Sequence, residues 1–166
     1  TGVPSESNPG GAPIAIDIAG SDDGVHWEFL ARDLLPIPGA HAGYGVIRVG
    51  ERIFYYPTCS SKERGVHFKV YASTDFLHWE HLGDEYDVVP DQRYYHARWE
   101  EICILPETEK GRTIYYGYVS SEVREDVGEP SLGLVRSEDG VNWEVLPPPV
   151  VEWGELPSQD MEVNFC

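Results

Sequence analysis

Three stretches of the chain set a hydroxyl, a carboxylate and an indole at one spacing. They are GSDDGVHWEFL (Gly20 to Leu30), ASTDFLHWEHL (Ala72 to Leu82) and RSEDGVNWEVL (Arg136 to Leu146). Their shared pattern, Ser-x-Asp-x-x-x-Trp-Glu, has the chemistry of a tight turn. Asp23, Asp75 and Asp139 can accept hydrogen bonds from backbone amides just ahead of them, and Gly24 and Gly140 adopt positive φ cheaply. Phe76 replaces glycine in the middle copy, so that turn is expected to differ. Trp27, Trp79 and Trp143 each offer a large flat face, either to a ligand or to a neighbouring sheet, and inter-sheet packing is the reading adopted here. Other chemistry leaves no trace. There is no Gly-x-x-x-x-Gly-Lys phosphate loop, no His-Glu-x-x-His zinc helix and no Gly-x-Ser-x-Gly nucleophile elbow. Cys59, Cys103 and Cys166 lie far apart with no Cys-x-x-Cys pair and read as buried, unpaired thiols, so no metal or cofactor is expected.

The elements that carry these turns are strands. Tyr44–Val49, Arg52–Cys59 and Val66–Thr74 are short, rich in β-branched and aromatic residues, and separated by glycine, serine and charged clusters. The order then returns as EEICILP (Glu100 to Pro106), Arg112–Ser120 and Ser131–Ser137. Arg52-Ile53-Phe54-Tyr55-Tyr56 and Arg112-Thr113-Ile114-Tyr115-Tyr116 stand 60 residues apart. Helical periodicity is weak throughout. With 41% hydrophobic and 25% charged residues the chain reads as soluble and globular, and no apolar run is long enough to cross a membrane as a helix. A net charge of −17 repels a phosphate backbone, which argues against nucleic acid as a partner. The opening TGVPSESNPGGAPIA carries no charged-then-apolar signal, and the compartment stays open between cytoplasmic and secreted.

Four short strands per unit, at a period of about 60, are the signature of a β-propeller. Residues 14–40 read as the end of one blade, 41–98 as a second, 99–158 as a third and 159–166 as the start of the next. A propeller does not close with about three blades, so the chain is expected to be a segment of a longer protein.

The order of features resembles the five-bladed propeller glycosidases of glycoside hydrolase families 32 and 43. In family 32 an aspartate nucleophile in the first blade is followed by a Ser-Gly-Ser strand, an Arg-Asp-Pro segment and a Glu-Cys segment. Here GAHAGYGVIRVGERIFYY falls where the Ser-Gly-Ser strand would be, HARWEEICILP where Arg-Asp-Pro would be, and QDMEVNFC where Glu-Cys would be. Trp99 stands between Arg98 and its acid, that acid is glutamate, and three residues separate Glu162 from Cys166. The repeated turn also resembles the Asp-box of six-bladed sialidases, which is one residue longer.

The resemblance implies a glycosidase acting on a carbohydrate, with two carboxyl groups facing the scissile bond. Glu162, or an acid beyond Cys166, would be the proton donor, its pKa raised by burial and neighbouring carboxylates. Glu100 would stabilise the transition state, and the nucleophile would lie ahead of Thr1. Strand alternation lets only one of Glu100 and Glu101 point inward. Arg98 would hold sugar hydroxyls or orient Glu100 through a forked hydrogen bond. His41 and His96, at the mouth of the funnel, would donate to hydroxyls, while Trp99 and Tyr44 would stack on a sugar face or serve the apolar core. Two rivals stand beside this reading: a propeller that binds sugar or protein without catalysis, and a glycoside phosphorylase or transferase on the same scaffold.

Overall fold

The computed structural model describes residues 14–37, 40–91, 99–121 and 131–152, with the side chains at 14, 41–44, 100, 121, 131 and 148–152 left aside. The fold of these residues is all-β and antiparallel, in three sheets that follow one another along the chain. Sheet A is a hairpin of β1 (Ile14–Gly20) and β2 (Glu28–Ile37). Sheet B orders β3 (Ala40–Val49), β4 (Arg52–Ser61), β6 (Tyr71–Ser73) and β7 (Glu80–His81), with β5 (Gly65–Phe68) also paired to β4. Sheet C is a meander of β8 (Trp99–Glu109), β9 (Arg112–Ser121), β10 (Ser131–Ser137) and β11 (Trp143–Glu152). Among the described residues the sole helical element is a 3-10 turn at Asp84–Tyr86, and no helix is long and apolar enough to span a membrane.

One expected strand is interrupted. The run from Val66 to Thr74 divides into β5 and β6, yet both keep a single register against β4, with Thr58 opposite Phe68 and Tyr55 opposite Tyr71. The gap falls opposite Pro57. The Lys69 amide donates to the Pro57 carbonyl at 3.1 Å, but proline has no N–H to return the bond. The ladder therefore lapses for two residues without slipping.

The sheets stack face to face in chain order. Phe54, Tyr56, Phe68, Val70 and Val88 of sheet B form one core with Trp99, Ile102, Val119 and Val135 of sheet C. On the other side of sheet B, Tyr55, Cys59 and Tyr71 pack with Ile37 and Ile16 of sheet A. Strand β4 is thus covered on both faces, which is why Ile53-Phe54-Tyr55-Tyr56 runs apolar without alternation. Each such fully buried side chain contributes roughly 1.5–3 kcal/mol of burial free energy, before conformational entropy is subtracted.

Sheets B and C are closest at their first strands. A Cβ added to Gly45 of β3 would lie 2.6 Å from Cγ2 of Ile102 on β8, so only glycine permits this approach. Farther out, a cleft of about 300 Å³ opens between Glu85–Asp87, in the turn that follows β7, and Val141–Glu144. The backbones of the two sheets thus come closest at β3 and β8, while the turn before β11 reaches sheet B through its side chains, Trp143 against Tyr56.

Candidate functional site

The three repeated turns close the hairpin before the last strand of each sheet, and they share one network. In each, the serine hydroxyl accepts from the backbone N–H three residues on, at 2.8 Å from Gly24, 2.9 Å from Phe76 and 2.9 Å from Gly140. The aspartate Oδ1 accepts two amides at 2.8 Å, from Val25 and His26, from Leu77 and His78, and from Val141 and Asn142. Its Oδ2 accepts from His26 Nδ1 at 2.6 Å, His78 Nδ1 at 2.7 Å or Asn142 Nδ2 at 2.7 Å. The indole N–H then donates back to the carbonyl of Gly24, Phe76 or Gly140. The His or Asn before each tryptophan completes the motif, and the sequence pattern had left that position blank.

Such bonding fixes the protonation of the aspartates. The hydrogen bond from His26, followed by the amides of His26 and Val25, holds the Asp23 carboxyl well below its usual range, and Asp75 is held likewise by His78 and Leu77. Burial pushes Asp139 up, but the bonds from Asn142 and Val141 outweigh it and the net shift is downward. Acceptors this fully engaged build a turn and have little capacity left for catalysis.

Phe76 does not make the middle turn different. Its φ of 65° matches the 74° of Gly24 and 73° of Gly140. The strain of a side chain there, about 1–2 kcal/mol, is accepted while the ring packs 6.4 Å from that of Trp79.

The tryptophans take positions at the sheet faces. Trp143 meets Tyr56 of sheet B edge-on, with centroids 5.6 Å apart, and the Tyr56 hydroxyl donates to the Gly140 carbonyl at 2.6 Å. This turn of sheet C is thereby latched to the second strand of sheet B. Trp79 packs against Tyr55 at 5.9 Å on the face turned to sheet A. Trp27 remains 64% exposed.

Of the residues nominated from sequence, Glu162, Arg98 and His96 lie outside the described residues. Trp99 begins β8 and is fully buried, stacked 5.8 Å from Phe68 in the core between sheets B and C. A ring with no exposed face cannot stack on a sugar, so Trp99 takes the core role. His41 and Tyr44 fall in β3, and Glu100 falls in β8. Their backbone positions have a common feature. The register shifts between Ala40 and Ala42, between Gly43 and Gly45, and between Trp99 and Glu101, so His41, Tyr44 and Glu100 are each the extra residue of a β-bulge. Bulges re-aim side chains, and they concentrate beside active sites. The bulge at Glu100 also suspends strict alternation there, which removes the premise that only one of Glu100 and Glu101 can face inward.

Sequence reasoning missed a buried polar cluster behind β7. After Leu82 the chain leaves the ladder, turns through Asp84–Tyr86, and rejoins at Val88, which exchanges both backbone bonds with Phe68. Asp87, on this excursion, has a side chain 1% exposed that accepts from Arg64 Nη1 at 2.9 Å, with His81 Nε2 at 3.1 Å and His67 Nε2 at 3.5 Å. Burial pushes its carboxyl up, but the bonds from His67 and His81 prevail and lower it. His81, Asp84 and Asp87 bring ligand atoms within 4.8 Å of one another, a spacing a divalent cation could use. The Arg64 guanidinium already supplies positive charge to Asp87, so the cluster balances itself as an ion-pair network. Cys59, on the same side of β4, has its thiol pushed up to about 12 by burial and is no nucleophile near neutral pH.

Comparison with models of known protein families and with curated proteins finds no match.

Proposed function

We propose that the chain is part of a five-bladed β-propeller glycoside hydrolase of the family 32 or 43 type, acting on a carbohydrate. The observation that carries the reading is the stacking of successive antiparallel sheets with their first strands closest. Successive sheets whose backbones come closest at their first strands, through Gly45 and Ile102, are what radial blades require. First strands then converge on an axis, and residues distant in sequence can meet there. A site at that axis would draw on His41, Tyr44 and Glu100, each at a register shift on a first strand; sheet A and the β10–β11 pair have such shifts as well.

In this reading Glu162 protonates the departing oxygen, and Glu100 with Arg98 stabilises the positive charge that develops on the sugar ring. His41, His96 and Tyr44 bind the substrate. The nucleophile comes from a first strand outside the described residues. The test uses the full-length enzyme. Glu162→Ala loses about two to four powers of ten on natural linkages and much less on an activated aryl glycoside, whose leaving group needs no proton. Glu100→Ala impairs both substrates alike. Equal losses on both for Glu162→Ala move the acid elsewhere, and an inactive full-length protein that still binds sugar rejects hydrolysis.

A further inference from the structure

The interface between sheets B and C shows what each repeated turn is shaped to meet. Val141, Trp143 and Val145, at the fourth, sixth and eighth positions after Ser137, pack into the core shared by sheets B and C, Trp143 meeting Tyr56 of sheet B. Gly140 is sunk among its side chains, where an added Cβ would lie 3.0 Å from Val49, 3.1 Å from Phe54 and 3.2 Å from Ile47. The Tyr56 hydroxyl completes the latch on the Gly140 carbonyl.

The same positions after Ser21 are Val25, Trp27 and Phe29, and they are 74%, 64% and 58% exposed. Nothing lies within 4 Å of a Cβ placed on Gly24. The turn itself has the same hydrogen bonds as its buried counterpart, and its Gly24 carbonyl accepts from Trp27 Nε1 as Gly140 does from Trp143. A carbonyl has a second lone pair. In sheet C that second position takes the tyrosine.

We propose that the face of Val25, Trp27 and Phe29 is a docking surface for one further four-stranded sheet of this repeat, borne on the same polypeptide ahead of β1. Its second strand carries a tyrosine that donates to the Gly24 carbonyl, with apolar residues at the positions of Ile47, Val49 and Phe54. Arg32, now 3.7 Å over the Phe29 ring, swings aside. A second copy of this chain fits poorly. The hairpin joining β8 to β9 repeats the one joining β3 to β4, and it places Glu107 and Glu109 where sheet B has Ile47 and Val49. The matching Tyr116 hydroxyl is already bonded to Glu109. An apolar turn set against that face would bury two carboxylates.

The proposal rests on the sheet stacking of the preceding section and is independent of glycosidase activity. Hydroxyl-radical footprinting reads the side chains one by one, in the 166-residue chain and in the polypeptide extended by its own upstream coding sequence. Labelling of Val25, Trp27 and Phe29 falls at least about threefold in the longer form, at all concentrations. Trp27→Ser lowers the urea midpoint of the longer form by more than that of the short chain. Unchanged labelling overturns the proposal, as does an upstream sequence encoding no such sheet. Protection that appears in the short chain as its concentration rises makes a second copy the occupant and also overturns it. A long form that protects Trp27 yet hydrolyses nothing upholds the docking surface and rejects only the glycosidase.

Discussion

Two glycines at equivalent positions of one motif allow sheet docking to be weighed inside a single molecule. Gly24→Ala and Gly140→Ala both place a side chain at positive φ, 74° and 73°, which costs about 1–2 kcal/mol. Both also shed about 0.4–1 kcal/mol of unfolded-state entropy, a gain that offsets part of that strain. These contributions are common to the pair and cancel in the difference. What remains is crowding: the new methyl at 140 stands 3.0–3.2 Å from Val49, Phe54 and Ile47, whereas the one at 24 meets nothing within 4 Å. Overpacking of this kind costs about 1–3 kcal/mol. Gly140→Ala is therefore expected to be the more destabilising by about 1–3 kcal/mol, and urea unfolding followed by tryptophan fluorescence measures it. With a slope of about 2 kcal/mol per molar, the two midpoints separate by about 0.5–1.5 M. Local fraying of the sheet A hairpin would only shrink the Gly24 effect and widen the gap. Midpoints that coincide would refute the account of Gly140 as a turn driven into the neighbouring sheet.

Tyr56→Phe removes the hydroxyl that latches the third turn to sheet B, at a cost of about 0.5–1.5 kcal/mol, since the Gly140 carbonyl loses one donor and keeps the Trp143 indole N–H. Tyr116→Phe, whose hydroxyl bonds to a glutamate at the surface, costs far less by the same denaturation assay, and equal costs would argue against the latch. Acid is expected to unfold the chain through Asp23, Asp75, Asp87 and Asp139, all held below the usual carboxylate range. Groups with depressed folded pKa values stabilise above their unfolded pKa of about 3.9, and that stabilisation is lost as pH falls through the folded values. The urea midpoint should thus fall steeply below about pH 4, and Asp87→Asn should shallow the fall; a flat profile down to about pH 2.5 would contradict the hydrogen-bond assignments.

The fold was legible where a residue's local chemistry decides its conformation. Strands at Arg52–Ser61 and Arg112–Ser121 follow from β-branched and aromatic runs bounded by turn residues, and the repeated RIFYY and RTIYY announce equivalent second strands. The turns followed from serine and aspartate alone, because all their bonds close within seven residues. Phe76 misled because propensity treats positive φ as glycine's preserve, whereas a network of seven hydrogen bonds outweighs a penalty of about 1–2 kcal/mol. Pro57 was visible as a residue, but its effect falls on its cross-strand neighbours Lys69 and Val70, and register cannot be read along one strand.

The site was less legible because what shapes it is non-local. Whether Glu100 shares a face with Trp99 or with Ile102 depends on a bulge, and a bulge exists only relative to a partner strand, here through the pairing of Trp99 with Ser121 and Glu101 with Ser120. Strict alternation along WEEICILP, which let only one of Glu100 and Glu101 point inward, does not hold across that register shift. Trp99 has the same lesson in another form: an indole beside Arg98 and Glu100 suggests a sugar platform, but the approach of β3 to β8 at Gly45 closes the sheets over it. The Asp87 cluster was invisible for a third reason. Arg64, His67, His81 and Asp87 have no motif spacing, and they meet only because the chain detours between Leu82 and Val88 before regaining its place opposite Phe68. A detour that returns to the ladder must bury whatever polar group it carries inward. Asp87 is such a group, and three cationic or donating side chains from β4 to β7 are what make its burial tolerable.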